Sequence, residues 1–319
     1  MVQCIRVSRV KDKFGIFSAL ILIAVLFYGF TFSPCKAHKP KVYDCFLFYN
    51  ELELLELRLN ELNDYVDKFV LVEACETFRG QPKSFFFDEN KRRFEKYADK
   101  IIHIKLSEPF KTENPWNRER YQREQIFQGL TDCCENDIIL LSDLDEVPRG
   151  TSIPDIVEKL ISREYQAIIC GQKMYYGYLN RYQGKWPGTV CINFKNAHRL
   201  SARWVRKLRN MRPATLRKAR ISKICRIEGA GWHFTSMGGI DRHIKKIESF
   251  SHSELDTPEF KTKENLLRVI HSLELQEIDD SYPQFIKDNQ AYFERLGFID
   301  RSGVHGRTKE FSMEPVDEE

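Results

Sequence analysis

Two hydrophobic periods alternate along the first half of this chain, and they predict alternating strands and helices. Compact apolar runs at residues 43–49, 69–73 and 101–106 are typical of strands buried on both faces. Between the first two runs, residues 51–62 carry leucines at helical spacing with acidic residues among them, which predicts an amphipathic helix. The alternation indicates an α/β fold with a mostly parallel central sheet covered by helices.

The same pattern continues through the second half of the chain. Asn114 can cap a helix and Pro115 suits a first helical position, so a charged helix is predicted to follow them. The predicted helices of this half lie at residues 116–130, 153–161, 240–252 and 260–273. Further buried strands are predicted at residues 138–142 and 166–170, and residues 199–220 form a basic stretch expected to be exposed.

The N-terminal part departs from this pattern, because residues 14–33 carry no charge. An apolar stretch of about 20 residues can cross a bilayer as a helix, whereas a cleaved signal peptide usually has an apolar core of only about 7–15 residues. A retained signal anchor is therefore favoured over a cleaved signal. Basic residues flank the stretch on both sides, so the positive-inside rule favours a cytoplasmic N-terminus only slightly.

This interpretation divides the chain into five parts. They are a cytoplasmic tail at residues 1–13, a transmembrane signal anchor at 14–33, a short stem at 34–42, a catalytic domain at 43–300 and a polar C-terminal tail at 301–319. The expected topology is that of a single-pass type II membrane protein, bound to the membrane through its N-terminal helix. The catalytic domain then lies on the lumenal or outer side.

Composition narrows the class of protein without identifying it. Of the 319 residues, 42% are hydrophobic and 30% are charged, as in a folded globular protein. The formal charge of +4 is small and well mixed, so no nucleic-acid partner is expected. Nine cysteines contain no Cys-x-x-Cys pair, which argues against a zinc ribbon. One or two disulfides are compatible with an oxidising lumen, but the sequence does not give their pairing.

The most chemically suggestive stretch follows the buried strand predicted at residues 138–142. Asp143, Asp145 and Glu146 come within four positions, and Pro148 ends the regular structure. Carboxylates at the carboxyl end of a buried strand suit the place where α/β sheets bind ligands, and paired carboxylates suit Mg²⁺ or Mn²⁺. The alternative is a solvated turn after a strand. The apolar run before the acids and the proline behind them favour a site.

Two other stretches carry candidate chemistry. The helix predicted at residues 116–130 contains arginines that either lie on a solvated face or reach a phosphate near the acids. Glycines frame Trp232 and His233 within residues 229–239, so the backbone there is expected to bend tightly or to approach another group closely, between flexible loops. His233 is either an ordinary polar residue or a ligand for a metal or phosphate. Aromatic residues at 174–182 suit a sugar platform or a core.

Taken in order, these motifs resemble glycosyltransferase family 17, the β-1,4-mannosyl-glycoprotein 4-β-N-acetylglucosaminyltransferases that add bisecting N-acetylglucosamine. The motifs that carry the resemblance are NELELLELRLNEL at residues 50–62, VLVE at 70–73, TFRGQPK at 77–83, WNRERYQR at 116–123, DLDEVP at 143–148 and GWHF at 231–234. Each motif is weak by itself, and their order and spacing carry the assignment. The resemblance spans residues 43–252.

The resemblance implies a nucleotide-sugar-binding domain of the GT-A type. It implies transfer of N-acetylglucosamine, with inversion, from UDP-N-acetylglucosamine to the β-linked core mannose of an N-glycan or glycoprotein acceptor. It also implies a Golgi membrane protein when the source is an animal. Two alternatives stay open: a transferase that uses another UDP-sugar or acceptor, and a membrane-tethered protein that binds sugars without catalysis.

A divalent ion, Mn²⁺ or Mg²⁺, is the expected cofactor of such a transfer, because it neutralises the charge on the departing diphosphate. Asp145 is the predicted direct ligand, and Asp143 is predicted to contact the ribose or a metal-bound water. His233 is the candidate for a further ligand. Arg120 or Arg123 is predicted to hold the phosphates with a fork of donors.

The remaining candidates concern the nucleoside and the acceptor. Glu73 and Thr77, at a strand end, are predicted to contact the uridine. A single displacement needs one general base near the acceptor hydroxyl. The candidates are Asp241, at a predicted helix start where the helix dipole keeps it ionised, then Glu146 and, behind them, Glu119. The alternative for each of these acids is an ordinary cap or salt-bridge partner.

Overall fold

The computed structural model describes residues 39–251 and 256–302 of the chain. By its contacts the chain divides between Lys39 and Pro40, and the architecture below is that of the unit beginning at Pro40. The predicted cytoplasmic tail, the predicted anchor and most of the predicted stem and polar tail lie outside the described residues. Within the described ranges, no helix is both long enough and apolar enough to cross a membrane.

Ten strands form one sheet in the described part of the chain. They are β1 (Val42–Phe48), β2 (Lys68–Ala74), β3 (Ile101–Leu106), β4 (Ile138–Leu141), β5 (Glu146–Pro148), β6 (Ala167–Tyr176), β7 (Arg181–Asn193), β8 (Ile224–Ile227), β9 (Gly231–Thr235) and β10 (Glu274–Leu275). The order across the sheet is β3-β2-β1-β4-β7-β6-β9-β5, with β10 beside β7 and β8 beside β6.

The first half of the sheet has the predicted parallel arrangement. Strands β3, β2, β1 and β4 all run in the same direction. β1, β2 and β4 are almost wholly buried, whereas β3, at the edge of the sheet, is only partly buried and carries His103 and Lys105 on one face. Helices usually cover a parallel sheet on both faces, so its inner strands need apolar side chains on both faces. The strands predicted at residues 43–49, 69–73, 101–106 and 138–142 are confirmed.

The second half of the sheet is antiparallel in part, which corrects the predicted, mostly parallel topology. β7 runs antiparallel to β4, β6 and β10, and β5 runs antiparallel to β9. Only residues 177–180 connect β6 to β7, and so short a connection can join antiparallel strands but not parallel ones. The whole is therefore an α/β fold with a mixed sheet.

The helices surround this sheet. The α-helices are α1 (Leu52–Leu62), α2 (Phe86–Glu89), α3 (Pro115–Glu124), α4 (Ile153–Ile161), α5 (Phe194–Leu200), α6 (Ala202–Lys207), α7 (Pro213–Ala219), α8 (Ile240–Ser249), α9 (Lys263–Ser272), α10 (Gln284–Asp288) and α11 (Gln290–Arg295). The 3-10 helices are Lys91–Tyr97, Gln125–Leu130, Gly150–Ser152 and Leu208–Asn210. Asn114 caps α3 through its side chain, as predicted, but the α-helix ends at Glu124 and continues as a 3-10 helix.

The core has a layer on each face of the sheet. Alternate residues of β1 divide between the two layers, because successive side chains of a strand point to opposite faces. Phe46 and Phe48 pack in the cluster that includes the leucines of α1. Cys45 packs in the other cluster, with residues of α5 and α6. The two faces of the sheet thus pack against different helices.

Candidate functional site

The acids predicted at the end of a buried strand form a tight turn between two strands. β4 ends at Leu141, and residues 143–146, called the acidic turn below, lead directly into β5. β5 pairs antiparallel with β9, which places Glu146 opposite His233. The backbone N–H of Phe234 also donates to the Asp145 carbonyl at 2.8 Å. Strand pairing therefore brings His233 to the acids from 87 positions along the chain, counted from residue 146 to residue 233.

His233 lies in strand β9 and not between flexible loops, which corrects that part of the prediction. The expected close approach at the flanking glycine is confirmed. A Cβ on Gly231 would lie 2.3 Å from the carbonyl oxygen of Val147, so only glycine lets β9 come this close to β5. The expected tight bend lies beyond the strand at Gly238 and Gly239, whose φ angles are 92° and 86°.

Asp145 is a buried carboxylate with two basic neighbours. Its Oδ1 lies 3.4 Å from His233 Nε2, and its Oδ2 accepts from Lys246 Nζ at 2.7 Å. Burial by itself raises the pKa of Asp145, but the charge of Lys246 and the contact with His233 outweigh it, and the pKa falls well below its usual range. Asp145 therefore stays ionised, with Lys246 and His233 on either side of its carboxylate.

Glu146 is fully buried and bound by donors from three segments. It accepts from Arg206 at 2.7 and 2.8 Å, from Arg209 at 3.3 Å and from the indole N–H of Trp186 at 2.7 Å. The Asp143 backbone N–H adds a further bond at 3.2 Å. A carboxylate with this many donors is fixed in place.

Asp143 is the most open of the three acids, with 38% of its side chain exposed. It accepts from Arg123 at 2.9 Å and pairs with Arg206. Burial raises its pKa, but the surrounding guanidinium groups of Arg206, Arg123 and Arg209 more than offset this and hold the pKa well below its usual range. Arg123 also pairs with Glu119 at 2.7 Å, so α3 is joined to the acidic turn.

The other predicted site residues have their contacts elsewhere. The carboxylate of Glu73 accepts from the backbone N–H of Phe86 at 2.6 Å and pairs with Lys83 and His103. Thr77 Oγ1 accepts from backbone N–H groups within its own turn. Arg120 donates to Asn117 of the same helix at 3.3 Å. Asp241 is exposed in the first turn of α8. Their predicted roles toward uridine, phosphate and acceptor stay predictions.

Sequence reasoning missed Arg206, Arg209, Lys246 and Trp186 as members of this site. Arg206 lies in the basic stretch expected to be exposed, yet it is buried, which corrects the prediction for that residue. The signal was present in the sequence: Arg206 follows Val205 and stands four positions after Ala202, on the buried side of α6. An arginine on a core-facing helix position needs a buried anion as partner, and Glu146 is that partner.

The donor set fits a divalent ion. Two neighbouring ligands of an ion with bonds of about 2.1 Å lie roughly 3 Å apart, close to the separation of Asp145 Oδ1 and His233 Nε2. No three His, Cys, Asp or Glu side chains of the described residues gather closely enough to hold an ion alone. An ion of the Mg²⁺ class usually takes one or two carboxylates and completes its shell with water and substrate phosphates. Asp145 and His233 are the residues that would hold it.

His243, on the helix that carries Lys246, gives a pH-dependent prediction. Burial first, and Lys246 second, lower its pKa from 6.5 to about 4, and its Nε2 lies 2.9 Å from the Tyr176 hydroxyl. On acidification the unfolded chain binds a proton at this histidine at a higher pH than the folded protein does. The folded state therefore has its full stability above the unfolded pKa and loses stability as the pH falls towards 4. We expect the free energy of unfolding to fall by about 2 kcal/mol from this group between about pH 7 and pH 4.5.

Urea unfolding of the wild type and of His243→Gln at both pH values measures this contribution. Glutamine can still bond to Tyr176 but does not titrate, so the loss of stability on acidification should be smaller in the variant by about 2 kcal/mol. Equal losses in the two proteins would contradict the assignment.

Comparison with known proteins agrees with the motifs in the first half of the chain. Residues 28–161 match the family model "Glycosyltransferase family 17". The human protein named β-1,4-mannosyl-glycoprotein 4-β-N-acetylglucosaminyltransferase is 30% identical over 107 residues, which are 31% of this chain and 20% of that protein. The rat protein of the same name gives the same values. The chain thus matches about a fifth of the length of these curated relatives.

Solved structures give more distant likenesses. A mannosyltransferase from Pyrobaculum calidifontis, in complex with GDP-mannose and Mn²⁺, has a TM-score of 0.41 and 12% identity, over 88% of this chain and 78% of that one. Glucosyl-3-phosphoglycerate synthase of Mycobacterium tuberculosis has a TM-score of 0.37 and 12% identity, over 61% and 72%.

Proposed function

We propose that this chain, whose residues 28–161 match glycosyltransferase family 17, is an inverting glycosyltransferase with a nucleotide-sugar donor and a Mn²⁺ or Mg²⁺ cofactor. The mixed-sheet domain is, in this proposal, a nucleotide-sugar-binding domain of the GT-A type. The observation that carries the proposal is the convergence of Asp145 and His233, flanked by Lys246, just beyond the carboxyl end of β4. That edge of an α/β sheet is where ligands bind.

The charges around the acidic turn suit a nucleoside diphosphate. Arg123 from α3, Arg206 from α6 and Lys246 from α8 all reach the carboxylates of this turn. Guanidinium forks and ammonium groups are the side chains that bind phosphates best. A divalent ion at Asp145 and His233 would neutralise charge on the leaving diphosphate. Arg123, Arg206 and Lys246 would help to orient that diphosphate.

The transfer itself is a single displacement. The acceptor hydroxyl attacks the anomeric carbon, the bond from that carbon to the diphosphate oxygen breaks, and the nucleoside diphosphate leaves with both electrons. The hydroxyl proton passes to a general base. Of the three candidates, Glu146 is bound by Arg206 and Glu119 by Arg123 and Ser251, whereas Asp241 is exposed. Asp241 is therefore the first candidate to test.

The proposed donor is UDP-N-acetylglucosamine, and the proposed acceptor is the β-linked core mannose of an N-glycan, joined through a β-1,4 linkage. The names of the matched relatives support this choice. Another UDP-sugar or acceptor is the alternative within the same reaction class. A protein that binds sugars without catalysis is the second candidate, favoured by the salt bridges that occupy Glu146 and Glu119.

A donor panel with the full-length chain tests these proposals. UDP release should require a divalent ion and an N-glycan acceptor, should be fastest with UDP-N-acetylglucosamine and should stop in EDTA. Faster UDP release from UDP-glucose or UDP-galactose would show that one of these is the donor. Full activity in EDTA would show that the reaction needs no divalent ion. Calorimetric UDP binding without turnover on any donor would favour the non-catalytic candidate.

The proposed location is the Golgi membrane, with residues 14–33 as a type II anchor and the catalytic domain in the lumen, if the source is a eukaryote. The charge-free N-terminal stretch supports an anchor. A C-terminal tag should be protected from protease in sealed Golgi vesicles; digestion of the tag would contradict this topology.

A further inference from the structure

Arg58 lies in the core, at the centre of α1. Neither its side chain nor that of its partner Asp44, on β1, is exposed to solvent. The residues around it on the helix, Leu54, Leu55 and Leu62, are buried as well. A charged residue in a leucine-rich, core-facing helix is rare and requires a fixed partner.

All five N–H donors of the Arg58 guanidinium are engaged. Nε and Nη2 donate to the two Asp44 oxygens at 2.7 and 2.6 Å, and Nη2 also donates to Ser142 Oγ at 2.7 Å. Nη1 donates to the carbonyl oxygens of Asp143, Leu144 and Glu146 at 2.9, 3.0 and 3.0 Å. Arginine has no further donors, so none is left for a substrate.

Three of these contacts hold the main chain of the acidic turn. The carbonyl oxygens of residues 143, 144 and 146 all accept from Arg58 Nη1. Arg58 therefore fixes the backbone conformation of the turn that carries Asp143 and Asp145. Asp44 balances the charge, so the guanidinium adds no net positive charge beneath the carboxylates. The face of the phenyl ring of Phe46, 4.7 Å away, completes its surroundings.

Stability alone does not account for this arrangement. Removing two charges from water is costly, and replacing a buried ion pair with apolar residues is often neutral or stabilising. What an apolar side chain does not supply is a donor for three converging carbonyls. Resting on the function proposed above, we propose that Arg58 is a positioning residue that sets the geometry of the acidic turn and thereby its affinity for a divalent ion and a nucleoside diphosphate.

The test is Arg58→Lys in the full-length chain, measured by calorimetry with UDP and Mn²⁺. Lysine keeps the charge but has no planar fork, so it cannot hold Asp44 and the three carbonyls together. We expect UDP to bind in the presence of Mn²⁺ at least about 10-fold more weakly, as is typical when a residue that orients a metal ligand is lost. Raising the Mn²⁺ concentration should restore turnover, because the reacting groups are intact.

Arg181→Lys is the matched control. Arg181 is also buried and forked onto a carboxylate, Asp300, and donates to the Leu273 carbonyl. Both substitutions should lower the unfolding temperature, but only Arg58→Lys should weaken the binding of UDP. If Arg58→Lys binds UDP as tightly as the wild type does, the role of Arg58 is overturned while the proposed function stands. If the wild type binds no UDP, both the proposed function and the role of Arg58 are overturned.

Ser142→Ala provides a second variant if Arg58→Lys does not fold. It removes a single bond accepted from Arg58 Nη2 and leaves the other contacts in place. Because the guanidinium that holds the three carbonyls then has one fixed partner fewer, we expect UDP with Mn²⁺ to bind more weakly than to wild type, but by less than the roughly 10-fold or more expected for Arg58→Lys. Unchanged affinity in a folded Ser142→Ala protein overturns the proposal.

Discussion

Asp145→Asn is expected to lower the rate of UDP release at least about 100-fold, and to remove the effect of Mn²⁺ on UDP binding. The amide keeps the shape of the side chain but not its charge. Lys246 and His233 both lie against this carboxylate, and the substitution removes the negative charge with which Asp145 would hold a divalent ion. Removing a direct ligand should exceed the roughly 10- to 100-fold cost of losing an outer-shell partner.

The measurement is UDP release by the full-length chain across a range of Mn²⁺ concentrations, with calorimetry for UDP. Asp155→Asn is the matched control, because Asp155 is an exposed carboxylate paired with Lys159 on α4. It should retain the wild-type rate within about twofold, as surface substitutions usually do. If Asp145→Asn keeps more than a small fraction of wild-type activity at every Mn²⁺ concentration, Asp145 is not the ligand.

Arg206→Met is expected to reduce the free energy of unfolding by about 3 kcal/mol or more, the usual cost of breaking a buried ion pair. Arg206 donates to both oxygens of the fully buried Glu146 and also pairs with Asp143. Methionine fills much of the space, but it removes two hydrogen bonds to the buried Glu146 and one of its guanidinium partners. Arg209 and Trp186 remain bound to Glu146, which limits the loss.

Arg203→Met, on the same helix, is the control for Arg206→Met in urea unfolding. Arg203 is only partly buried, so its loss should change stability by no more than about 0.5 kcal/mol. In the background of Arg206→Met, Glu146→Gln should recover part of the lost stability, because it removes a buried charge that has lost one of its guanidinium partners. Two arginine variants of equal stability would show that the Arg206–Glu146 pair contributes nothing.

Local patterns were sufficient for the parallel half of the sheet. Apolar runs of strand length, separated by the leucine-rich segment that forms α1, gave β1 to β4 nearly to the residue. The aromatic stretch at residues 174–182 and the glycine-framed Trp-His did not reveal β7 and β9. A run of polar and aromatic residues such as YQGKW in β7 shows no strand period, because a partly exposed strand with bulges against β6 has no single buried face.

The sequence by itself determined that three carboxylates follow a buried strand, that a histidine stands between glycines, and that the chain is α/β. Tertiary structure alone decided which charges surround those carboxylates. Arg58, Arg123, Arg206 and Lys246 come from four different helices, and each reaches the acidic turn because the helix carrying it packs against this edge of the sheet. Pairing between residues so distant along the chain depends on packing, which no local period encodes.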